Sequence, residues 1–167
     1  MELLLKAIVL AIFILFSEFA YTAESHCIRP EMTVFSCRTG TKVVSVCGSN
    51  VISSQMGYLQ YRFGSLESPE FIYPNKKIKP GQWVTGNTLI YAGGGGAYLR
   101  FIRNRYHYIV YTAIGRGWGE RAGVIVEKDG FRKANLSCNN QLISELGADF
   151  FERAQIVVDQ IGFELPD

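Results

Sequence analysis

The chain has 167 residues, of which 48% are hydrophobic, 13% aromatic and 19% charged, and its formal net charge at pH 7 is +2. This composition excludes a disordered chain, because the apolar fraction is high enough and the charged fraction low enough for a packed core. The weak positive charge, without a clustered basic face, argues against a nucleic-acid-binding protein.

Residues 1–25 have the layout of a cleavable secretory signal. A short start that ends in a lysine precedes the uncharged run Ala7–Phe16, and small and polar residues follow. The apolar run is shorter than the about 20 residues that a membrane-spanning helix needs. We expect cleavage after Ala23 or Ser25, no stable membrane insertion afterwards, and a periplasmic location. The remainder, residues 26–167, has the length of one exported domain.

The first half of that domain predicts two β-hairpins. Runs rich in Val, Ile, Tyr, Phe and Thr alternate with turn residues at short intervals, which is typical of antiparallel strands. The predicted strands are Thr33–Cys37, Lys42–Cys47, Tyr58–Phe63 and Glu70–Tyr73. The segment Pro74–Gly81 should break the sheet, because proline cannot donate a hydrogen bond to a strand ladder.

The second half predicts a further meander of strands. They are Trp83–Ala92, Tyr98–Arg103, Tyr106–Ile114, Gly123–Glu127 and Phe131–Leu136. Gly93–Gly96 is expected to be a flexible hairpin loop, whereas Asn104-Arg105 and Asp129-Gly130 suit two-residue turns. Apolar residues at three- and four-residue spacing predict one amphipathic helix over Ser144–Val158. The fold class is therefore all-β, an antiparallel β-sandwich or barrel with a C-terminal helix.

Four cysteines follow the predicted signal, and an even number in an exported chain indicates two disulfides among Cys27, Cys37, Cys47 and Cys138. If Arg38–Thr41 is a hairpin turn, Cys37 faces Lys42 and Cys47 faces Met32. The two sulfurs then lie on opposite faces of the ribbon and should not bond to each other. Each pairs with Cys27 or with Cys138, and both arrangements stay open. The cysteine spacing does not suit zinc, so we expect no metal and no cofactor.

Motifs for catalysis are weak. The glycine run lacks the following helix and Lys-Ser/Thr pair of a phosphate loop, and no Gly-x-Ser-x-Gly nucleophile motif is present. His107 lies between two tyrosines in a predicted strand, where packing is its expected role. The acidic residues Glu67, Glu70, Glu120 and Glu127 have no spacing that ties a pair to one cleft. The sequence therefore favours binding over catalysis.

Two segments suggest a contact surface. Alternation in the hairpin Tyr98–Tyr111 places Arg100, His107 and Tyr111 on one face, opposite a more apolar face that we expect in the core. That apolar face comprises Leu99, Phe101, Tyr106, Tyr108 and Val110. The loop Gly115–Arg121 combines three glycines with a tryptophan and two arginines, a composition enriched in binding hot spots. The predicted partner-binding residues are Arg100, His107, Tyr111, Arg116, Trp118, Glu120 and Arg121. Alternatively, Trp118 folds back and caps one end of the fold.

Four short segments resemble a group of small exported proteins of Gram-negative bacteria that has no assigned activity. They are Phe35-Ser-Cys37, Lys42-Val-Val-Ser-Val-Cys47, Leu59-Gln-Tyr-Arg-Phe-Gly64 and Gly123-Val-Ile-Val126. The resemblance implies a periplasmic location and supplies no catalytic residues. In size, export and cysteine-linked β structure the chain is also loosely similar to periplasmic lysozyme inhibitors and effector immunity proteins, although the inhibitors' own signatures are absent.

From these observations we expect the chain to be an immunity protein or inhibitor that neutralises another protein in the periplasm. The expected partner is a secreted effector toxin or a cell-wall hydrolase. The alternative is a domain that binds or hydrolyses cell-wall glycans through an aromatic face.

Overall fold

The computed structural model describes residues 24–53, 55–139 and 141–166. Apart from Glu24 and Ser25, the predicted signal lies outside the described residues. The elements in chain order are β1 (Met32–Thr39), β2 (Lys42–Gly48), β3 (Leu59–Ser65), β4 (Ser68–Tyr73), β5 (Val84–Tyr91), β6 (Gly94–Arg103), β7 (Tyr106–Gly115), β8 (Gly119–Lys128), β9 (Phe131–Ser137), β10 (Ile143–Ser144), α1 (Ala148–Ala154) and β11 (Val157–Val158).

The strands form two sheets that pack face to face, which confirms the β-sandwich. Sheet A has the order β10-β1-β2-β3-β4, and sheet B has the order β11-β5-β6-β7-β8-β9. All neighbouring strands are antiparallel except β11 and β5, which are parallel. Alternate residues of both sheets point into one shared core, as the period of a strand requires. The core includes Phe35, Cys37, Val44, Val46, Leu59, Tyr61, Leu99, Phe101, Val110, Val124 and Phe150.

The first hairpin has a tighter turn than predicted. Thr39 pairs with Lys42, and Cys37 pairs with Val44 rather than with Lys42. The turn is formed by Gly40 and Thr41, and Gly40 has a φ of 64°, which glycine adopts without strain. Between the turn and Phe35 the register therefore differs from the prediction by two residues, an even number that leaves these side chains on their expected faces. A bulge between Thr33 and Phe35 then shifts the pairing by one, so that Cys47 faces Thr33 rather than Met32.

The glycine run is a strand and not the flexible loop that was predicted. Gly93 alone belongs to the turn, with a φ of 80°, and β6 begins at Gly94. A Cβ atom at Gly94 would lie 2.1 Å from the carbonyl oxygen of Ile114, and one at Gly96 would lie 2.3 Å from that of Thr112. The glycines are thus required by the close approach of β6 to β7, and they continue the sheet.

The predicted C-terminal helix is shorter than expected. Residues on both sides of it join the sheets as β10 and β11, and α1 covers only Ala148–Ala154. The helix ends at Gln155, whose left-handed φ of 49° turns the chain so that Val157 pairs with Thr85. Phe150 and Ala154 face the core, as the spacing of apolar residues predicted.

Two disulfides are present, Cys27–Cys47 and Cys37–Cys138. The prediction that Cys37 and Cys47 do not bond to each other is confirmed. Since Cys138 directly follows β9, its bond to β1 joins the two sheets, while Cys27–Cys47 holds the chain before β1 against β2. Such bonds are consistent with an oxidising compartment. In the part of the chain that the structure describes, no helix has the length and apolar character to cross a bilayer.

The outer face of each sheet is covered by one end of the described chain. The N-terminal segment, residues 24–31, lies on sheet A, where His26 bonds to β2 and Glu31 to β3. The C-terminal segment, residues 159–166, lies on sheet B, where Phe163 packs on Tyr98 and Tyr111. Both outer faces are therefore partly removed from solvent.

Candidate functional site

The predicted contact face on the Tyr98–Tyr111 hairpin is not free. Arg100 is 1% exposed and Tyr111 2% exposed, because the C-terminal segment covers them. The ring of Phe163 lies 5.0 Å from that of Tyr98 and 5.4 Å from that of Tyr111, measured between centroids. The prediction of an exposed binding face is therefore wrong for Arg100 and Tyr111. The face does make contacts, but its partner is a segment of the same chain.

Arg100 is the centre of a polar network beneath that segment. Its Nε atom donates to Asp159 at 2.7 Å, its Nη1 atom to Glu127 at 2.9 Å, and its Nη2 atom to the carbonyl oxygen of Gly162 at 2.5 Å. The Nδ1 atom of His107 lies 3.3 Å from Nη1, and the imidazole is half-buried. These bonds hold the C-terminal segment in place, so the role of Arg100 in this structure is architectural.

The opposite face of the same hairpin largely follows its prediction. Leu99, Phe101 and Val110 are buried in the core, and Tyr108 packs against it. Tyr106 is 37% exposed and does not belong to the core, because it directly follows the turn into β7.

The predicted projecting loop is mostly strand. Strand β7 continues to Gly115 and β8 begins at Gly119, so only residues 116–118 form the loop. Trp118 folds back over Gly115, where a Cβ atom would lie 2.2 Å from the indole ring. Its ring lies 5.9 Å from that of Tyr91, and the Arg121 guanidinium stacks on it at 4.8 Å. The alternative that Trp118 packs on its own fold is the one observed.

An exposed apolar surface lies at the same end of sheet B. Ile90, Gly95, Ile114 and Glu120 are cross-strand neighbours in one row across β5, β6, β7 and β8. The preceding row is still covered, since its Ala97 is 2% exposed and its Ala122 9%. In contrast, Ile90 is 91% exposed and Ile114 64%. We call Ile90, Gly95, Ile114, Glu120 and the exposed Arg116 of the adjacent loop the tip surface.

The tip surface exists because sheet B is longer than sheet A. Strands β6, β7 and β8 have ten residues each, whereas the longest strand of sheet A, β1, has eight. Two of the predicted binding residues, Arg116 and Glu120, lie on this surface. Sequence reasoning missed the two isoleucines, because alternation does not show where the covering sheet ends.

A groove with a volume of about 740 Å³ lies on the outer face of sheet A. The N-terminal segment, β3, β4 and the connector before β5 form its walls. Its lining includes Ile28, Arg29, Pro30, Glu31, Tyr58, Gln60, Arg62, Pro69, Ile72 and Lys77. A volume of about 300–1,000 Å³ is typical of small-molecule sites.

A buried ion pair forms one side of this groove. The Arg62 guanidinium donates to both carboxylate oxygens of Glu31 at 2.7 Å, and both side chains are 6% exposed. The hydroxyl of Tyr58 and the ammonium of Lys77 also donate to Glu31. Burial by itself would raise the pKa of the Glu31 carboxyl, but these donors hold that pKa well below its ordinary value. Glu31 therefore stays ionised, which does not suit a general acid of a glycoside hydrolase.

Among the described residues, one group of metal-ligand type is formed by Cys27, Glu31 and Cys47, of which Glu31 lines the groove. The two sulfur atoms are bonded to each other, so neither is a thiolate ligand. His26 is also at the groove, and its Nε2 atom lies 3.2 Å from the carbonyl oxygen of Val43. Burial lowers the pKa of its imidazole, which therefore is neutral near pH 7.

Comparison of the chain with protein-family models, with curated proteins and with solved structures finds no match in any of the three. The resemblance to small exported proteins of Gram-negative bacteria therefore stays a prediction.

Proposed function

We propose that the chain is an exported protein-binding domain that acts in the periplasm as an immunity protein or inhibitor, and that it contacts its partner through the tip surface. The observation that supports this most is the exposure of the Ile90 and Ile114 side chains, which lie in one cross-strand row at the same end of sheet B. Leaving two such side chains in water forgoes about 1.5–3 kcal/mol for each, which a partner that covers them would recover.

The shape of the tip surface suits an inserted side chain. Ile90 and Ile114 are separated by β6, and two strand spacings place them about 10 Å apart. The residue between them is Gly95, which has no side chain and leaves a shallow depression. An apolar side chain of a partner would contact both isoleucines there, as hot-spot residues do in protein interfaces.

The charges beside the depression add specificity. Arg116 and Glu120 are exposed, and neither has an ion-pair partner within the residues that the structure describes. Unpaired charges at the rim of an apolar patch orient a partner and select against others. The partner should therefore present an apolar side chain flanked by charges of both signs.

Binding measurements against purified cell-wall hydrolases test this proposal. The panel consists of a c-type lysozyme, a lytic transglycosylase and a peptidoglycan amidase. The affinity of each for the protein is measured, and so is the activity of each with and without the protein. We expect at least one to be bound and inhibited, and Ile90→Asp and Ile114→Asp to weaken that binding by about 30-fold or more.

The matched control is Ile161→Asp, because Ile161 is 62% exposed and lies in the C-terminal segment, away from the tip surface. It adds the same charge and should bind as the unchanged protein does. Binding that all three variants weaken equally, or that none of them weakens, would contradict the role of the tip surface. Cleavage of glycan by the protein itself would contradict the proposed function.

A further inference from the structure

The groove on sheet A has an excess of positive charge. Arg29, Arg62 and Lys77 line it together with one carboxylate, that of Glu31, so three cations minus one anion leave a charge of +2. Arg62 and Glu31 neutralise each other in their buried pair. Arg29 and Lys77 therefore carry the excess at the exposed edge of the groove.

These two cations differ in their present contacts. Lys77 donates to Glu31 at 3.0 Å, lies 4.6 Å above the centroid of the Tyr58 ring, and has a side chain that is 56% exposed. Arg29 is exposed, and among the described residues it has no hydrogen-bond or ion-pair partner. Each has donors left for an anion that enters from solvent.

The remaining wall of the groove is largely apolar. Ile28, Pro30, Pro69 and Ile72 line it, with the ring of Tyr58 beside them. The Arg62–Glu31 pair and the bond from Gln60 to the carbonyl oxygen of Pro74 fix the polar part of the floor before any ligand arrives. A site that is formed in advance loses little free energy to ordering when it binds.

We propose that this groove binds a small organic anion with an apolar body, its acidic group at Arg29 and Lys77 and its body against Ile28, Pro30 and Ile72. An anion satisfies the two cations, and an apolar body displaces water from the wall that hydrocarbon groups form. The volume suits a single chain or ring system of the size of a medium-chain carboxylate. This site is separate from the tip surface and does not depend on the proposed function.

The test uses fluorescence of anilinonaphthalene sulfonate, an apolar anion, bound to the folded protein. Dodecanoate should displace it, whereas dodecylammonium, with the same body and the opposite charge, should not. In the double variant Arg29→Gln/Lys77→Gln the affinity for dodecanoate should fall by about tenfold or more. In NMR spectra, the backbone amide chemical shifts that change on adding dodecanoate should cluster at Ile28, Asn50 and Ile72.

The control is Lys76→Gln/Lys79→Gln, which removes the same charge from neighbouring lysines that do not line the groove. It should bind dodecanoate as the unchanged protein does. Equal displacement by dodecanoate and dodecylammonium would overturn the proposal, as would equal weakening by both double variants, no binding of either anion, or shift changes that cluster at Ile90 and Ile114.

Discussion

Arg100 and Asp159 form an ion pair between the middle of sheet B and the C-terminal segment, with 2.7 Å between Nε and the carboxylate and 1% of each side chain exposed. The pair joins positions 59 residues apart in sequence. This pair explains how the C-terminal segment covers a polar face of sheet B. Arg100 is paired with Asp159, and the neighbouring rings of Tyr98 and Tyr111 pack on Phe163.

Replacing Asp159 by Ala should therefore destabilise the protein strongly. Arg100 would keep its bond to Glu127 but lose its buried partner, and breaking such a pair costs about 3–5 kcal/mol. Urea unfolding at pH 7 measures the change. Glu164→Gln, an exposed carboxylate of the same segment, serves as the control and should change little. A loss of less than about 1 kcal/mol on replacing Asp159 would show that the segment is held by its rings alone.

Glu31 should stabilise the fold in a pH-dependent way. Its pKa is lower in the folded protein than in the unfolded chain, so its contribution is complete above the ordinary glutamate pKa, about 4.3, and declines as the pH falls below it. Glu31→Gln should cost about 3 kcal/mol or more at pH 7. Because the unchanged protein loses this stabilisation in acid, the difference between the two proteins should shrink below about pH 4.3.

Unfolding by urea at several pH values checks this dependence. Glu70→Gln is the matched control, since Glu70 forms an exposed pair with Lys42 and its loss should matter little at any pH. If the difference in the free energy of unfolding between Glu31→Gln and the unchanged protein stays constant between neutral and acid pH, the assigned ion pair is contradicted.

The two disulfides should differ in their contributions to stability. Cys37–Cys138 spans 101 residues and Cys27–Cys47 spans 20, and a longer closed loop restricts the unfolded chain more. In the chain-entropy account the longer bridge contributes roughly 1.4 kcal/mol more. Thermal unfolding of Cys37→Ala/Cys138→Ala and Cys27→Ala/Cys47→Ala variants measures this directly. A larger loss from the shorter bridge would mean that the packing of the N-terminal segment outweighs chain entropy.

Export should leave a mature chain that begins at Glu24. The Glu24 carboxylate accepts a hydrogen bond from Nε of Arg38 at 2.7 Å, and its carbonyl oxygen accepts one from Ser36 at 2.8 Å. Of the two predicted cleavage positions, the one after Ala23 keeps these bonds and the one after Ser25 removes them. Intact mass spectrometry of the protein from a bacterial periplasm decides, and a start at His26 would contradict the prediction.

Strand alternation predicted well which side chains of this fold face the core. Cys37 and Cys47 lie on opposite faces as predicted, although Cys37 pairs with Val44 and Cys47 with Thr33. Val44 shares the face of Cys37, and Cys47 lies three residues further along β2, so alternation places it on the other face. The turns Asn104-Arg105 and Asp129-Gly130 were also predicted, because each needs a residue at positive φ that Asn or Asp adopts readily.

Contacts between distant segments were not predictable. Arg100 and Tyr111 looked like an exposed binding face, because nothing near them in sequence indicates that Asp159 and Phe163 cover them. The groove likewise depends on Arg62 meeting Glu31, 31 residues away. A charge pattern identifies candidate pairs, but only the fold decides which of them are buried together.

We propose that a partner covers the tip surface, and site-specific photo-cross-linking in the periplasm tests this whichever protein that partner is. A benzophenone amino acid replaces Ile90, Ile114 or, as a comparably exposed control, Ile161. We expect positions 90 and 114 to yield the same covalent adduct with one other protein, weakened by Arg116→Glu, and position 161 to yield none. No adduct at positions 90 and 114, or the same adducts from all three positions, would contradict the claim.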